Sequence, residues 1–281
     1  MPEGRSGARV RYATVLRTSW ITPHMIRVVL GGDGLDGFTA DSYTDHYVKL
    51  LFPPPGVHYP QPCDLDLIRR ELPRHQWPRL RTYTVRAWDP AVRELTLDFV
   101  YHGDEGLAGP WAARARPGDQ VMFRGPGGGY APSPAADWHL LVGDESALPA
   151  IGVALERLPR DAPARVFVEV ADRAEEQELT TAGAVEIVWV HRGRRTVGEA
   201  LVEAVRSMDP PAGAVHAFVH GEAQFVRELR RLLRVDLRVP PEMLSISGYW
   251  RRGHDDEGWR AVKADWNRRL AEEEAAVLAV R

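Results

Sequence analysis

Apolar residues follow two different rhythms along the chain. From Arg9 to about Pro134 they form short β-branched and aromatic runs at 25–30, 47–52, 81–86, 94–100 and 120–123. Turn residues separate these runs, at 31–34, 53–56, 89–90 and 117–119. Short strands punctuated in this way predict an antiparallel barrel or sandwich. One helix is expected at about 108–115. The polar stretch 60–77 reads as a long loop with a short helix at 65–72.

The second half alternates. Strands are expected at 138–142, 165–170, 185–190 and 214–220, with helices at 148–157, 197–207 and 223–233. A last amphipathic helix is expected at about 257–279. Strands alternating with helices predict βαβ units and a mostly parallel, doubly wound sheet. The punctuated segment GPGGGYAPSP at 125–134 is the candidate boundary. The expected domains are therefore an antiparallel β barrel over 8–132 and an α/β domain with a C-terminal helix over 137–281.

Composition narrows the function classes. The chain has 281 residues, with 36 Lys and Arg against 39 Asp and Glu, a formal net charge of −3. That balance gives no bulk attraction to nucleic acid or to an anionic membrane, and neither partner is expected. No apolar run approaches the ~18 residues of a membrane span, and residues 1–12 lack the apolar core of a secretory signal. A cytoplasmic location is the expectation. The sole cysteine, Cys63, cannot build an internal disulfide or a cysteine-based metal centre.

Two segments can carry chemistry. In Arg81-Thr82-Tyr83-Thr84-Val85-Arg86, strand alternation puts Arg81 and Tyr83 on one face and Thr82 and Thr84 on the other. A guanidinium can fork onto phosphate oxygens, and a tyrosine ring can lie against a planar group. An ordinary barrel strand with exposed Arg and Thr reads the same way. In the second segment, Asp98 to Gly103 ends a strand and leads through Gly106 to Trp111 into a helix. Small residues there let a ligand approach the backbone, and the free amides of a helix start favour an anion. A purely structural connection is the alternative.

Other motifs read as structural. His216 and His220 share one face of an apolar strand with no Cys or carboxylate nearby, so no metal site is expected. His254-Asp255-Asp256-Glu257 suits the start of the last helix. No complete Gly-x-Gly-x-x-Gly follows the first strand of the second half. Arg173, Arg192, Arg194 and Arg195 follow strands and can meet a 2′-phosphate or simply face water.

Taken in order, several segments resemble the siderophore-interacting protein family of flavin-dependent ferric-siderophore reductases, related in fold to ferredoxin–NADP reductases. The resemblance spans about 10–266. It includes Asp45-His46-Tyr47-Val48-Lys49-Leu50-Leu51-Phe52-Pro53, the strand 81–86, Asp98 to Gly103, and Trp111-Ala112 to Pro117-Gly118-Asp119. In the second half it includes Gly143-Asp144-Glu145-Ser146-Ala147-Leu148-Pro149, Gly221-Glu222, and Gly248-Tyr249-Trp250-Arg251-Arg252-Gly253.

The resemblance implies non-covalent FAD on the barrel. Arg81, Thr82, Tyr83 and Thr84 match the family's flavin-holding strand. Gly106, Ala108, Gly109 and Trp111 match its pyrophosphate turn, with Asp98, Val100 and His102 beside it. It implies NADH or NADPH, or a ferredoxin, as electron donor, with Asp144, Glu145 and Ser146 facing the flavin and its donor. It implies a bulky anionic ferric siderophore as substrate, met by a basic rim of Lys49, Arg251, Arg252 and Lys263. Tyr249 and Trp250 either flank the flavin or dock the last helix. The chain departs from the family where Leu107 and Gly109 stand in the pyrophosphate turn, and where Gly127 follows Gly125-Pro126 in place of an arginine. One positive charge near the substrate is therefore expected to be missing. Two other readings remain: the same fold reducing another acceptor, and a module that binds flavin or siderophore without turnover.

Overall fold

The computed structural model describes residues 10–280 and divides into two compact units between Gly128 and Gly129. The first unit is a closed six-stranded barrel. Its strands are β1 (Arg11–Thr22), β2 (Met25–Gly31), β3 (Tyr47–Phe52), β4 (Arg79–Asp89), β5 (Glu94–Val100) and β6 (Gln120–Gly127), closed in the order β1-β2-β5-β4-β3-β6. All six pairings are antiparallel. Closure leaves no free edge, which is how an antiparallel sheet of this size avoids edge-to-edge association.

Alternation explains the barrel core. Val28, Leu30, Val48, Leu50, Leu95 and Leu97 are fully buried inside it. The long strand β1 was not foreseen. Its register shifts between Val15 and Arg17 and again between Trp20 and Thr22, so the period of two is broken and Leu16 and Trp20 face solvent. Strand β6 extends to Gly127, so the proposed boundary segment begins within a strand.

Among the described residues, two α-helices belong to this unit. Helix α1 (Leu65–Glu71) lies in the polar loop and is capped by Asp64, which accepts from the amides of Asp66 and Leu67. Helix α2 (Ala108–Arg114) follows β5 and buries Ala108, Pro110 and Ala112. Cys63 is buried among Val10, Leu51, Leu65 and Ile68, and its amide donates to the Tyr12 hydroxyl at 3.0 Å.

The second unit is a five-stranded parallel sheet with helices. Strands β7 (Trp138–Gly143), β8 (Pro163–Val170), β9 (Ala184–His191), β10 (Val215–Glu222) and β11 (Leu244–Trp250) lie in the order β11-β10-β7-β8-β9. Helices α3 (Leu148–Glu156), α4 (Glu199–Arg206), α5 (Ala223–Arg231) and α6 (Asp256–Val280) connect or follow them. Strand β7 lies between β8 and β10, so the chain order reverses at its carboxyl end. Strand β11 was not foreseen, because its Ser and Gly content hides the pattern. Helix α5 ends at Arg231 and continues as a wider turn over Leu232–Asp236. Among the described residues, no helix is long and apolar enough to cross a membrane.

Candidate functional site

On β4, register decides what each motif residue faces. Arg81 pairs with Leu50 and Tyr83 with Val48, both fully buried partners on β3. Thr82 pairs with Lys49 and Thr84 with Tyr47, on the opposite face. Tyr83 is half-buried, and its ring centroid lies 4.1 Å from that of Phe99. Phe99 lies 5.6 Å from Trp111, and Trp111 lies 5.8 Å from Phe52. One line of aromatic rings therefore joins the β4 motif to the turn at the start of α2. The chain brings together two segments that are about 25 residues apart in sequence.

That turn is shaped by glycine. Gly106 has φ +85, a left-handed backbone that other residues adopt only with strain. A Cβ on Gly109 would lie 2.9 Å from the Val100 carbonyl oxygen, so only glycine lets α2 start this close to the end of β5. Leu107 caps the helix without a side-chain hydrogen bond. The exposed His102 ring lies beside Gly106, its Cε1 3.8 Å from where a Cβ would stand. A groove of about 620 Å³ opens next to this turn, lined by Phe52, Val57, His58, Tyr59, Leu107 and Trp111. Its size and its aromatic walls suit part of a flavin dinucleotide.

Asp98 is differently placed. It is buried on β5 opposite Arg27 of β2, and the two form a bidentate ion pair at 2.7 and 2.8 Å. Arg86 stands 4.0 Å away. Its carboxylate is committed to the barrel wall. Lys49 is exposed and lies between Thr82 of β4 and Arg124 of β6 in register. The Arg124 Nε atom is enclosed without a hydrogen-bond partner. Sequence reasoning missed Arg124, because only strand pairing sets it beside Lys49. At Gly127 a Cβ would lie 2.4 Å from the Tyr47 ring, so a side chain there requires that ring to swing away.

In the second unit the carboxyl end of β7 carries Asp144, which is fully buried. Its Oδ1 accepts from the Ser146 amide at 2.9 Å and the Ser146 hydroxyl at 2.5 Å. Its Oδ2 accepts from the Glu222 amide at 2.9 Å and the Trp250 indole at 2.8 Å. Burial, then the charge of Glu145, pushes its pKa up to about 6, against the opposing pull of those donors. Gly221, with φ +140, makes the space, since a Cβ there would lie 2.7 Å from the carboxylate.

Around it, Glu145 binds Arg192 at 2.6 Å, and Arg192 also reaches Glu169 at 3.3 Å. Glu169 accepts from the Gly198 amide through both oxygens at 3.0 Å, and burial raises its pKa. Arg195 pairs with Glu203. Arg192 and Arg195, candidates for a 2′-phosphate, are thus engaged by carboxylates.

Arg251 is half-buried, 6.0 Å from the Trp259 ring of α6, and Arg252 is exposed. The Arg252 amide donates to Glu222 at 3.2 Å. Lys263 donates to the Ser247 hydroxyl at 3.0 Å, which ties α6 to β11. Tyr249 packs on His220, ring centroids 4.9 Å apart. His220 and His216 do share one face of β10 and are buried. They partner Ser245 and the Ser133 amide respectively. Among the described residues, no group of three or more His, Cys, Asp or Glu is placed to hold a metal ion.

Comparison with known proteins agrees with this architecture. Residues 14–130 match the siderophore-interacting FAD-binding domain, and residues 136–253 match the siderophore-interacting protein model. The ferric vibriobactin reductase ViuB of Vibrio cholerae is 33% identical over 255 residues, covering 89% of this chain and 92% of ViuB. The NADPH-dependent ferric-chelate reductase of Escherichia coli is 33% identical over 251 residues, 88% and 94% of the two chains. The crystal structure of a siderophore utilization protein from T. fusca superposes with a TM-score of 0.77 at 39% identity, covering 88% of this chain and 95% of that one. The barrel is an FAD-binding domain, and with its parallel-sheet partner the chain belongs to the siderophore-interacting protein family.

Proposed function

We propose that the chain is a cytoplasmic FAD-dependent reductase that uses NADPH or NADH to reduce a ferric siderophore and release iron as Fe(II). The observation that carries this reading is the aromatic line from Tyr83 through Phe99 to Trp111. It joins the flavin-strand motif to a glycine turn that leaves the backbone open to a ligand. Arg81 and Thr82 to Thr84 hold the flavin on β4. Gly106, Ala108, Gly109 and Trp111, with Val100 and His102 beside them, hold its pyrophosphate. Asp98 supports this wall through Arg27. Bound FAD supplies a hydride acceptor and releases electrons singly to iron.

A ferric siderophore brings all its iron ligands with it, so the protein needs no metal cage. What it must offer is positive charge for an anionic chelate. Lys49 and Arg124 supply it on the barrel, and Arg251 and Arg252 supply it on the second unit. Lys263 serves through its bond to Ser247. The relative named as NADPH-dependent supports a nicotinamide donor over a ferredoxin. The turn 143–146 is the place we assign to that donor, with Glu145 and Ser146 half-buried there.

The test is anaerobic stopped-flow. NADPH is expected to bleach the flavin, and a ferric siderophore is expected to restore it as an Fe(II) chelator traps the product. Bleaching without reoxidation by any ferric chelate would mean a different acceptor. No bleaching by either nicotinamide would leave ferredoxin or a binding module.

A further inference from the structure

Asp144 joins three parts of the chain that are far apart in sequence. Its two oxygens meet donors from the turn after β7, from the end of β10 and from the end of β11. The last of these, Trp250, immediately precedes Arg251 and Arg252. The same arm is held a second time, because the Arg252 amide donates to Glu222, whose own amide donates to Asp144. Trp259 of α6 closes the arrangement, donating to the Gly248 carbonyl at 3.2 Å while its ring lies under Arg251.

Two features make this more than a fold latch. Strand β11 is an edge of its sheet, paired among the described residues with β10, so its end has strand support on one side only. The residues beyond it bear two of the cations offered to the substrate. In addition, Gly221 is left without a side chain where any Cβ would strike the carboxylate, so the space at the strand reversal is filled by Asp144 itself.

We propose that Asp144 is a positioning residue: through the Trp250 indole it fixes the arm carrying Arg251 and Arg252, and so sets the affinity for the anionic ferric chelate. It touches neither substrate nor flavin in this role. The inference rests on the reading of Arg251 as a substrate contact.

The test uses the FAD-loaded full chain with a ferric tris-catecholate as probe and p-benzoquinone as a small uncharged acceptor. Trp250→Phe keeps the ring and removes the donor. The expected result is a KM for the ferric chelate raised about fivefold, the value of one ordinary hydrogen bond. The kcat with p-benzoquinone and the FAD content should stay at wild-type values, and the thermal midpoint should fall by only about 2–4 °C, the loss of one buried hydrogen bond. Trp250→His, which restores a ring N–H towards Asp144, should recover part of the loss. Arg251→Ala serves as the reference. If Arg251→Ala raises KM and Trp250→Phe does not, Asp144 has no positioning role and the inference fails alone. If Arg251→Ala leaves KM unchanged, the substrate assignment fails and the inference falls with it.

Discussion

The Tyr83 ring lies 4.1 Å from the Phe99 ring, tilted 33° to it, on the inner side of the barrel wall. Phe99 is fully buried and Tyr83 half-buried, so one ring is core and the other has a face to offer. Removing the ring by Tyr83→Ala should weaken FAD binding at least about fivefold, since a ring contact contributes about 1 kcal/mol beyond its buried area. Tyr83→Phe should retain most of the affinity. Flavin bound per chain after dialysis measures both.

Gly106 and Gly109 are three residues apart but should respond differently to alanine. At Gly106 the space is open and only the left-handed backbone resists, costing about 1 kcal/mol. At Gly109 the added methyl meets the Val100 carbonyl at 2.9 Å and must push α2 away. Gly109→Ala should therefore lose FAD affinity tenfold or more, and Gly106→Ala less. Titration of apo-protein with FAD separates them.

The Arg27–Asp98 pair predicts a stability effect. Arg27→Ala leaves a buried carboxylate with only Arg86 at 4.0 Å, and should cost about 3 kcal/mol in denaturant unfolding. Arg27→Met with Asp98→Leu should restore most of it. The same double variant should still bind FAD. Loss of flavin binding in a stably folded double variant would instead give Asp98 a direct ligand role.

Burial sets up opposed pH slopes in the second unit. Burial, with a smaller contribution from Lys263, lowers the His220 pKa to about 3. The unfolded chain therefore takes up a proton that the fold refuses. Stability from this group is present above pH 6.5 and is lost as pH falls towards 3, about 3 kcal/mol by pH 4. His139, lowered to about 4 chiefly by burial, acts in the same sense. Asp144, raised to about 6, acts oppositely: its contribution is complete below pH 3.8 and is lost as pH rises through 6. His220→Phe should make stability fall less towards acid than in wild type, and Asp144→Asn should make it fall more. Unfolding free energies at pH 4 and pH 7 give both signs.

Much of the architecture was legible because periodicity is a local property. Strands such as β3, with Val48, Leu50 and Phe52 alternating against Tyr47 and Lys49, announce themselves within six residues. Where the pattern was broken, as in β1 with its two register shifts, or diluted by Ser and Gly, as in β11, it could not be read. The motifs at Tyr83 and at Gly109 were visible as motifs. Their common line of rings was not, because Phe99 looks like any core residue until the strands are paired.

The linear order of residues determined the two-part design, the parallel and antiparallel character of its halves, and the family. It did so through short-range alternation, turn chemistry and the order of motifs. Tertiary structure alone decided which partners those residues meet: Asp98 with Arg27, Lys49 beside Arg124, and Asp144 with an indole 106 residues away. A buried carboxylate must collect donors from whatever strands end beside it, and strand order is a property of the whole sheet rather than of any stretch of chain.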